Sequence, residues 1–139
     1  MKKYLGVIIY FIFNFASVAQ AASMHPADIQ LDSMIKNYEN SDSQQLGKNF
    51  DESMIGFTQL QESVKVALNV QRQIKIKLGA KRFTKAKEIY VIQCDWEKSY
   101  LMMPNLIPKK VSGRTLFLFQ FKNKEWKLAS LSGDNIFSL

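Results

Sequence analysis

The stretch Arg114–Ser132, RTLFLFQFKNKEWKLASLS, decides the fold class of this chain. Its two halves are strand-like segments on either side of Asn123-Lys124, which is typical of two antiparallel strands joined by a tight turn. Apolar residues occupy both faces of the first half: Leu116, Phe117, Leu118, Phe119 and Phe121. We therefore predict a central strand that is covered on both faces.

Two more strands are predicted upstream of this hairpin. The run IKIKL, residues 74–78, alternates apolar residues with lysines, and EIYVIQCDWEKSYL, residues 88–101, continues the two-residue period over a long segment. Between the second of these strands and the hairpin, MMPNLIPKK, residues 102–110, contains two of the three prolines. Proline removes a backbone donor, so we predict a loop there.

The region before the strands is predicted to be mainly helical. Apolar residues recur at helical spacing after Pro26, at Leu31, Met34, Ile35 and Tyr38. Asp42 with Gln45 forms a capping-box pattern for a short second helix. The segment SMIGF, residues 53–57, is predicted to begin a short strand, and Thr58 with Gln61 to open a third helix. About three helices followed by antiparallel strands indicate an α+β fold with the helices packed on a curved sheet.

The first 21 residues, MKKYLGVIIYFIFNFASVAQA, have the layout of a secretory signal peptide: two lysines, an apolar run and a small-residue end. We predict cleavage after Ala21, a single domain at 22–139, a periplasmic or secreted location, and no stable membrane anchor after cleavage. Loss of Lys2 and Lys3 lowers the formal net charge from +7 to +5, since 7 − 2 = 5. No nucleic-acid partner is predicted from this modest charge.

The chain resembles the nuclear transport factor 2-like superfamily, which includes ketosteroid-isomerase-like and SnoaL-like proteins. The resemblance is carried by IKNYENSDSQQLGKNFDESMIGF, by EIYVIQCDWEKSY, and by the terminal hairpin with Trp126, and it covers roughly Ala27 to Asn135. It implies a conical α+β fold that encloses a pocket and is commonly a dimer. A homodimer and a small apolar ligand or protein partner, in or around the cone, are the corresponding expectations.

The catalytic residues that the resemblance implies are not matched. The predicted first strand, Met54–Gln59, carries no acid, and the tyrosine position of the first helix falls near Ile35, one turn before Tyr38. The single histidine, His25, is expected in a terminal tail. One cysteine and one histidine, about 70 positions apart, do not predict a metal site, and no cofactor motif is present. A non-catalytic binding module is therefore the leading hypothesis.

Four residues are predicted to form the ligand site: Tyr38, Asp95, Trp96 and Glu97. Tyr38 and Trp96 would line the pocket, and a carboxylate would supply a polar handle. Strand alternation places Cys94 and Trp96 on one face and the two acids on the other, so Cys94 is expected to be a small core residue. Two alternatives for the acids remain: an acid/base in an isomerase- or hydratase-like enzyme, or solvated pairs with lysines of neighbouring strands.

A basic run and an apolar ending complete the candidates. Between Lys65 and Lys87 the chain has eight basic residues and no acid. The predicted partner-binding residues are Lys75, Lys77, Lys81 and Arg82. They would serve an interaction or assembly protein through a basic sheet face, or alternatively oppose aggregation at a solvated sheet edge. The ending SGDNIFSL is expected either to fold back over the cone or to dock on a partner.

Overall fold

The computed structural model describes residues 24–139, so the predicted signal peptide lies outside the described part of the chain. Three helices precede four strands: α1 Pro26–Glu39, α2 Ser43–Lys48, α3 Phe57–Val70, β1 Gln71–Lys85, β2 Ile89–Met102, β3 Ile107–Lys122 and β4 Glu125–Gly133. The predicted α+β fold class is confirmed, with the helices first and an antiparallel sheet after them.

The sheet has the order β1-β2-β3-β4, so every pairing joins strands that follow one another in the chain. The predicted hairpin is confirmed, with Lys122 paired to Glu125 across the turn. Asn123 and Lys124 have φ angles of 53° and 64°, as a two-residue turn matched to the strand twist requires. Register shifts interrupt β1 and the β3–β4 pair, and bulges of this kind bend a sheet.

The core lies between the helices and one face of the sheet, here called the inner face. Alternate residues of β2 point inward, and they are buried: Tyr90, Ile92, Cys94, Trp96, Lys98 and Tyr100. Helix α1 contributes Leu31, Met34, Ile35 and Tyr38 to the same core, as their spacing predicts. Cys94 is only 1% exposed, and burial raises the pKa of its thiol, which confirms its expected role as a core residue.

Three sequence predictions about local structure are wrong. Residues Met54–Gln59 form a turn and the start of α3 instead of a strand, because Gly56 adopts φ 82° and its carbonyl accepts from Leu60. Strand β3 begins inside the predicted loop, at Ile107. Its Pro108 is tolerated because β4 pairs with β3 only from Thr115 onward, which leaves a neighbour on one side alone.

The third wrong prediction is that both faces of β3 are covered. This strand is central in the sheet, but only its inner face is covered. Phe117 and Phe119 are fully buried, whereas Leu116 and Leu118 on the outer face are half-buried in the single chain. The expected homodimer stays a prediction.

One crossing point fixes the middle of the sheet. Trp96 faces Gly113 on β3, and a Cβ at Gly113 would lie 2.7 Å from the indole carbon Cζ2, so only glycine admits this ring position. The indole N–H donates to Thr115 Oγ1 at 2.7 Å, and the Thr115 hydroxyl donates in turn to the carbonyl of Asp134. The tryptophan thereby ties β2 and β3 to the chain that follows β4.

Replacing Thr115 by valine tests this connection. The valine keeps the shape but removes the acceptor of a buried indole N–H and the donor to Asp134, so we expect a loss of about 1–3 kcal/mol in the free energy of unfolding. Chemical denaturation measures it, with Thr84→Val on the exposed part of β1 as the matched control. Equal stabilities for the two variants would contradict this role of Thr115.

Candidate functional site

The four predicted ligand-binding residues lie on two sides of the sheet. Tyr38 and Trp96 are buried on the inner side, with exposures of 0% and 6%. Asp95 and Glu97 lie on the outer face, where Arg114 Nε is 2.6 Å from Asp95 Oδ1 and Lys110 Nζ is 3.1 Å from Glu97 Oε1. The expectation that a carboxylate joins Tyr38 and Trp96 in one pocket is therefore wrong, because residues next to each other on a strand point to opposite faces.

The surroundings of the two acids match the solvated cross-strand pairs that were the alternative. Both side chains of each pair are substantially exposed. The hydrogen bond from Arg114 lowers the pKa of Asp95, which makes this carboxylate a weaker base. A lowered pKa is the opposite of what a general base working near neutral pH needs.

The four predicted partner-binding residues all belong to β1, an edge strand. Lys75, Lys77 and Arg82 pair with Ser99, Glu97 and Gln93 of β2, which places them on the outer face. A register shift between Leu78 and Lys81 changes the alternation, so Lys81 pairs with Cys94 and points to the other side. The basic residues are thus split between two faces, and three of them share one surface.

The interior contains a charged residue that sequence reasoning missed. Lys98 is fully buried on the inner face of β2. Its ammonium donates to the carbonyl oxygens of Ile136 at 2.9 Å and Ser138 at 2.6 Å, and to the hydroxyl of Tyr38 at 3.3 Å. These three acceptors match the three N–H bonds of an ammonium group. No acid within residues 24–139 forms an ion pair with it.

Two neighbours of Lys98 form a short hydrogen-bond chain. The Tyr38 hydroxyl donates to Gln71 Oε1 at 2.5 Å, and Gln71 Nε2 donates to the carbonyl of Ser138 at 3.3 Å. Burial, together with the nearby Tyr100, raises the pKa of Tyr38, so its hydroxyl keeps the proton that it donates. The Lys98 nitrogen also lies 5.0 Å from the centre of the Tyr38 ring and 5.6 Å from that of Tyr100.

The polar floor made by Lys98, Tyr38 and Gln71 is covered by the chain itself. Residues Asn135–Leu139, here called the closing segment, leave β4 and cross the open side of the core. Ile136 and Phe137 are fully buried, and the Phe137 ring lies 5.3 Å from that of Tyr38 and 6.1 Å from that of Phe50. Asn135 Nδ2 donates to Ser63 Oγ of α3 at 3.2 Å. The ending therefore folds back over the interior, one of the two outcomes expected from its sequence.

His25 is not part of a terminal tail, contrary to expectation. It caps α1: its ring Nδ1 accepts from the backbone N–H of Ala27, and its backbone N–H donates to the Asp28 carboxylate. Its ring stacks on Tyr90 at 3.9 Å and meets Trp126 edge-on at 4.6 Å. Burial lowers the pKa of this histidine, so the neutral ring that can accept the cap hydrogen bond is favoured. Its role in the fold is to begin the first helix.

Two further observations concern residues 24–139. No group of three or more metal-binding side chains comes together there. None of the helices there has the length and apolar character needed to span a bilayer.

Comparison with known proteins gives structural similarity only. No protein-family model and no curated protein matches the sequence. A nuclear transport factor 2-like superfamily protein from Salmonella enterica serovar Typhimurium is 16% identical, with a TM-score of 0.66 over 87% of this chain and 94% of that one. A ketosteroid isomerase-like protein from Erwinia carotovora atroseptica is 10% identical, with a TM-score of 0.65 over 78% and 92%.

A third structure, a nuclear transport factor 2-like protein of unknown function from Shewanella oneidensis, is 9% identical, with a TM-score of 0.58 over 80% of this chain and 100% of that one. The chain has the nuclear transport factor 2-like fold. The resemblance read from the sequence is confirmed at the level of the fold. At these identities the similarity assigns no chemistry, which has to come from the side chains facing the interior.

The pH dependence of stability tests whether Lys98 is buried as an ammonium. Burial lowers its pKa from 10.5 to about 8. Between these values the unfolded chain holds a proton that the folded chain has lost, so a destabilising contribution present below about pH 8 is relieved as pH rises. We expect wild type to gain about 1–3 kcal/mol relative to Lys98→Met between about pH 7.5 and pH 9.5.

Denaturant unfolding across that pH range measures the difference, with Lys110→Met on the outer face as the control for losing a lysine. The difference in free energy of unfolding between Lys110→Met and wild type should not change with pH. If the difference between Lys98→Met and wild type is also independent of pH, Lys98 is not desolvated in the folded protein.

Proposed function

We propose that this protein is a non-catalytic binding module that holds a small, mainly apolar ligand inside the cone, in the space filled by the closing segment. The observation that carries the proposal is the nature of that space. Apolar and aromatic walls surround a small polar floor of Lys98, Tyr38 and Gln71, and ligand sites are commonly built in this way.

The closing segment is suited to exchange with such a ligand. It follows the last strand, so its displacement breaks no pairing of the sheet. Its polar attachments outside its own residues are few: the Asn135–Ser63 contact, and the carbonyls held by Lys98 and Gln71. The apolar side chains of Ile136 and Phe137 occupy a volume that another apolar group can take without leaving the walls exposed to water.

The composition of the interior supports binding over the isomerase- or hydratase-like alternative. The buried polar and charged residues among 24–139 are Asn49, Gln71, Lys98 and Thr115, none of which is an acid. The two acids considered for catalysis, Asp95 and Glu97, lie on the other side of the sheet in exposed ion pairs. The alternative would use Asp95 or Glu97 as its acid/base, and neither side chain faces the cone.

A neutral apolar dye tests the proposal. N-phenylnaphthylamine becomes fluorescent in apolar surroundings, and we expect saturable binding that is about 30-fold tighter in Asn135→Ala than in wild type. This substitution removes the bond to Ser63 and the one that Asn135 Oδ1 accepts from Phe137, each worth about 1 kcal/mol, and so raises the open fraction.

Asn69→Ala, an exposed asparagine of α3, is the matched control and should bind like wild type. No dye binding to folded Asn135→Ala would exclude an exchangeable apolar site in the cone.

The proposed location is the periplasm or the outside of the cell, supported by the basic, apolar and small-residue order of residues 1–21. Export with cleavage after Ala21 leaves a protein of 139 − 21 = 118 residues that begins at Ala22. Intact-mass measurement of the protein recovered from the periplasmic or culture fraction should find this form. Recovery of only full-length chain from the cytoplasm would exclude the export proposal.

A further inference from the structure

We infer that Lys98 and Gln71 together recognise a carboxylate, so that the ligand of the cone is an amphipathic monocarboxylate whose apolar body replaces the side chains of Ile136 and Phe137. The inference rests on the proposed function, because it needs the closing segment to give way. It adds to that function the chemical class of the ligand and the residues that select it.

The floor is arranged around oxygen positions. The carbonyl oxygen of Ser138 accepts from two donors at once, Lys98 Nζ at 2.6 Å and Gln71 Nε2 at 3.3 Å. The carbonyl oxygen of Ile136 accepts from Lys98 as well, at 2.9 Å. The closing segment thus presents two oxygens to one ammonium, which is what the two oxygens of a carboxylate would do.

The hydroxyl of Tyr38 fixes the orientation of the Gln71 side-chain amide. Tyr38 donates its hydroxyl proton to Gln71 Oε1, which leaves Nε2 to point toward the closing segment. An amide reversed about its last bond would place two donors against each other at Tyr38 and an acceptor against the Ser138 carbonyl. The two donors of the floor are therefore oriented before any ligand arrives, which lowers the cost of binding.

Charge distinguishes a carboxylate from a neutral oxygen ligand. In the closed state Lys98 has only carbonyl and hydroxyl acceptors, with no acid among the described residues close enough for an ion pair. The ammonium is already removed from water when the protein folds, so ligand binding does not add that cost. A ligand carboxylate loses its own hydration and gains a charge-assisted hydrogen bond. A neutral alcohol with the same apolar body gains no such bond.

The ligand and the closing segment compete for the same donors, so only one of them can be bound at a time. A ligand bound at Lys98 therefore releases Asn135–Leu139. Conversely, a substitution that loosens the segment increases the fraction of open molecules, and the apparent affinity for the ligand rises by the same factor. Release removes the hydrogen bond from the Phe137 N–H to Asn135 Oδ1, at 2.9 Å in the closed state. That amide reports on the segment itself.

Decanoate and decanol are matched probes, equal in chain length and different in charge. Calorimetric titration is carried out below the micellar range on wild type, on Asn135→Ala, and on Asn135→Ala combined with Lys98→Met, Gln71→Glu or Lys110→Met. We expect decanoate to bind Asn135→Ala at least about tenfold more tightly than decanol does, as a charge-assisted bond predicts.

Lys98→Met should abolish this preference while decanol binding persists. Gln71→Glu, which keeps the acceptor for Tyr38 but adds a negative charge, should abolish it too and provides a second variant if the methionine does not fold. Lys110→Met should retain it. Equal binding of the two probes to Asn135→Ala, or a preference that survives both floor substitutions, overturns the carboxylate inference and leaves apolar binding intact. Binding of neither probe to folded Asn135→Ala overturns the proposed function itself.

Hydrogen exchange at the Phe137 amide, followed by nuclear magnetic resonance in wild type, tests where the ligand sits. Saturating decanoate should speed this exchange several-fold, while amides in the middle of β2 keep their protection. Binding without loss of protection at Phe137 would place decanoate elsewhere and overturn the inference.

Discussion

The interior of this protein is organised by one buried ammonium group that has no buried acid beside it among the described residues. Lys98 is fully enclosed, and each of its N–H bonds meets an oxygen, two of them from the backbone of the closing segment. A buried charge without partners would cost several kcal/mol, so the carbonyls of the closing segment stabilise the closed state. The same contacts hold Ile136 and Phe137 over the core.

The strand that carries Lys98 separates two kinds of chemistry within a few residues. Asp95 and Glu97 meet Arg114 and Lys110 in water on the outer face, whereas Trp96 and Lys98 are buried on the other side. The outer pairs are exposed and contribute little to stability. The inner residues face the core. Proximity in sequence is therefore a poor guide to a site on a strand, and the two-residue period is the better one.

That period also explains what the sequence could predict. The hairpin around Asn123-Lys124 and the apolar face of α1 follow from patterns within a few residues, and both are confirmed. The strand predicted at Met54–Gln59 does not form because Gly56 adopts a left-handed backbone conformation and begins the third helix there. Lys98 lies in the inward register of Trp96 and Tyr100, so alternation alone would have placed it inside. Its two carbonyl partners are about 40 residues away and Tyr38 is 60 residues away, so no local pattern identifies them.

The same reasoning limits what the fold can say about function. A ketosteroid isomerase-like protein and a protein of unknown function share this architecture at about 10% identity, so the backbone does not fix the chemistry. The chemistry depends on the polar groups that the sheet and the first helix turn inward. Around Lys98 these groups include a cation, a phenol and an amide, and two of their donors converge on one oxygen. Such a group of donors suits an anion, and the binding proposal rests on it.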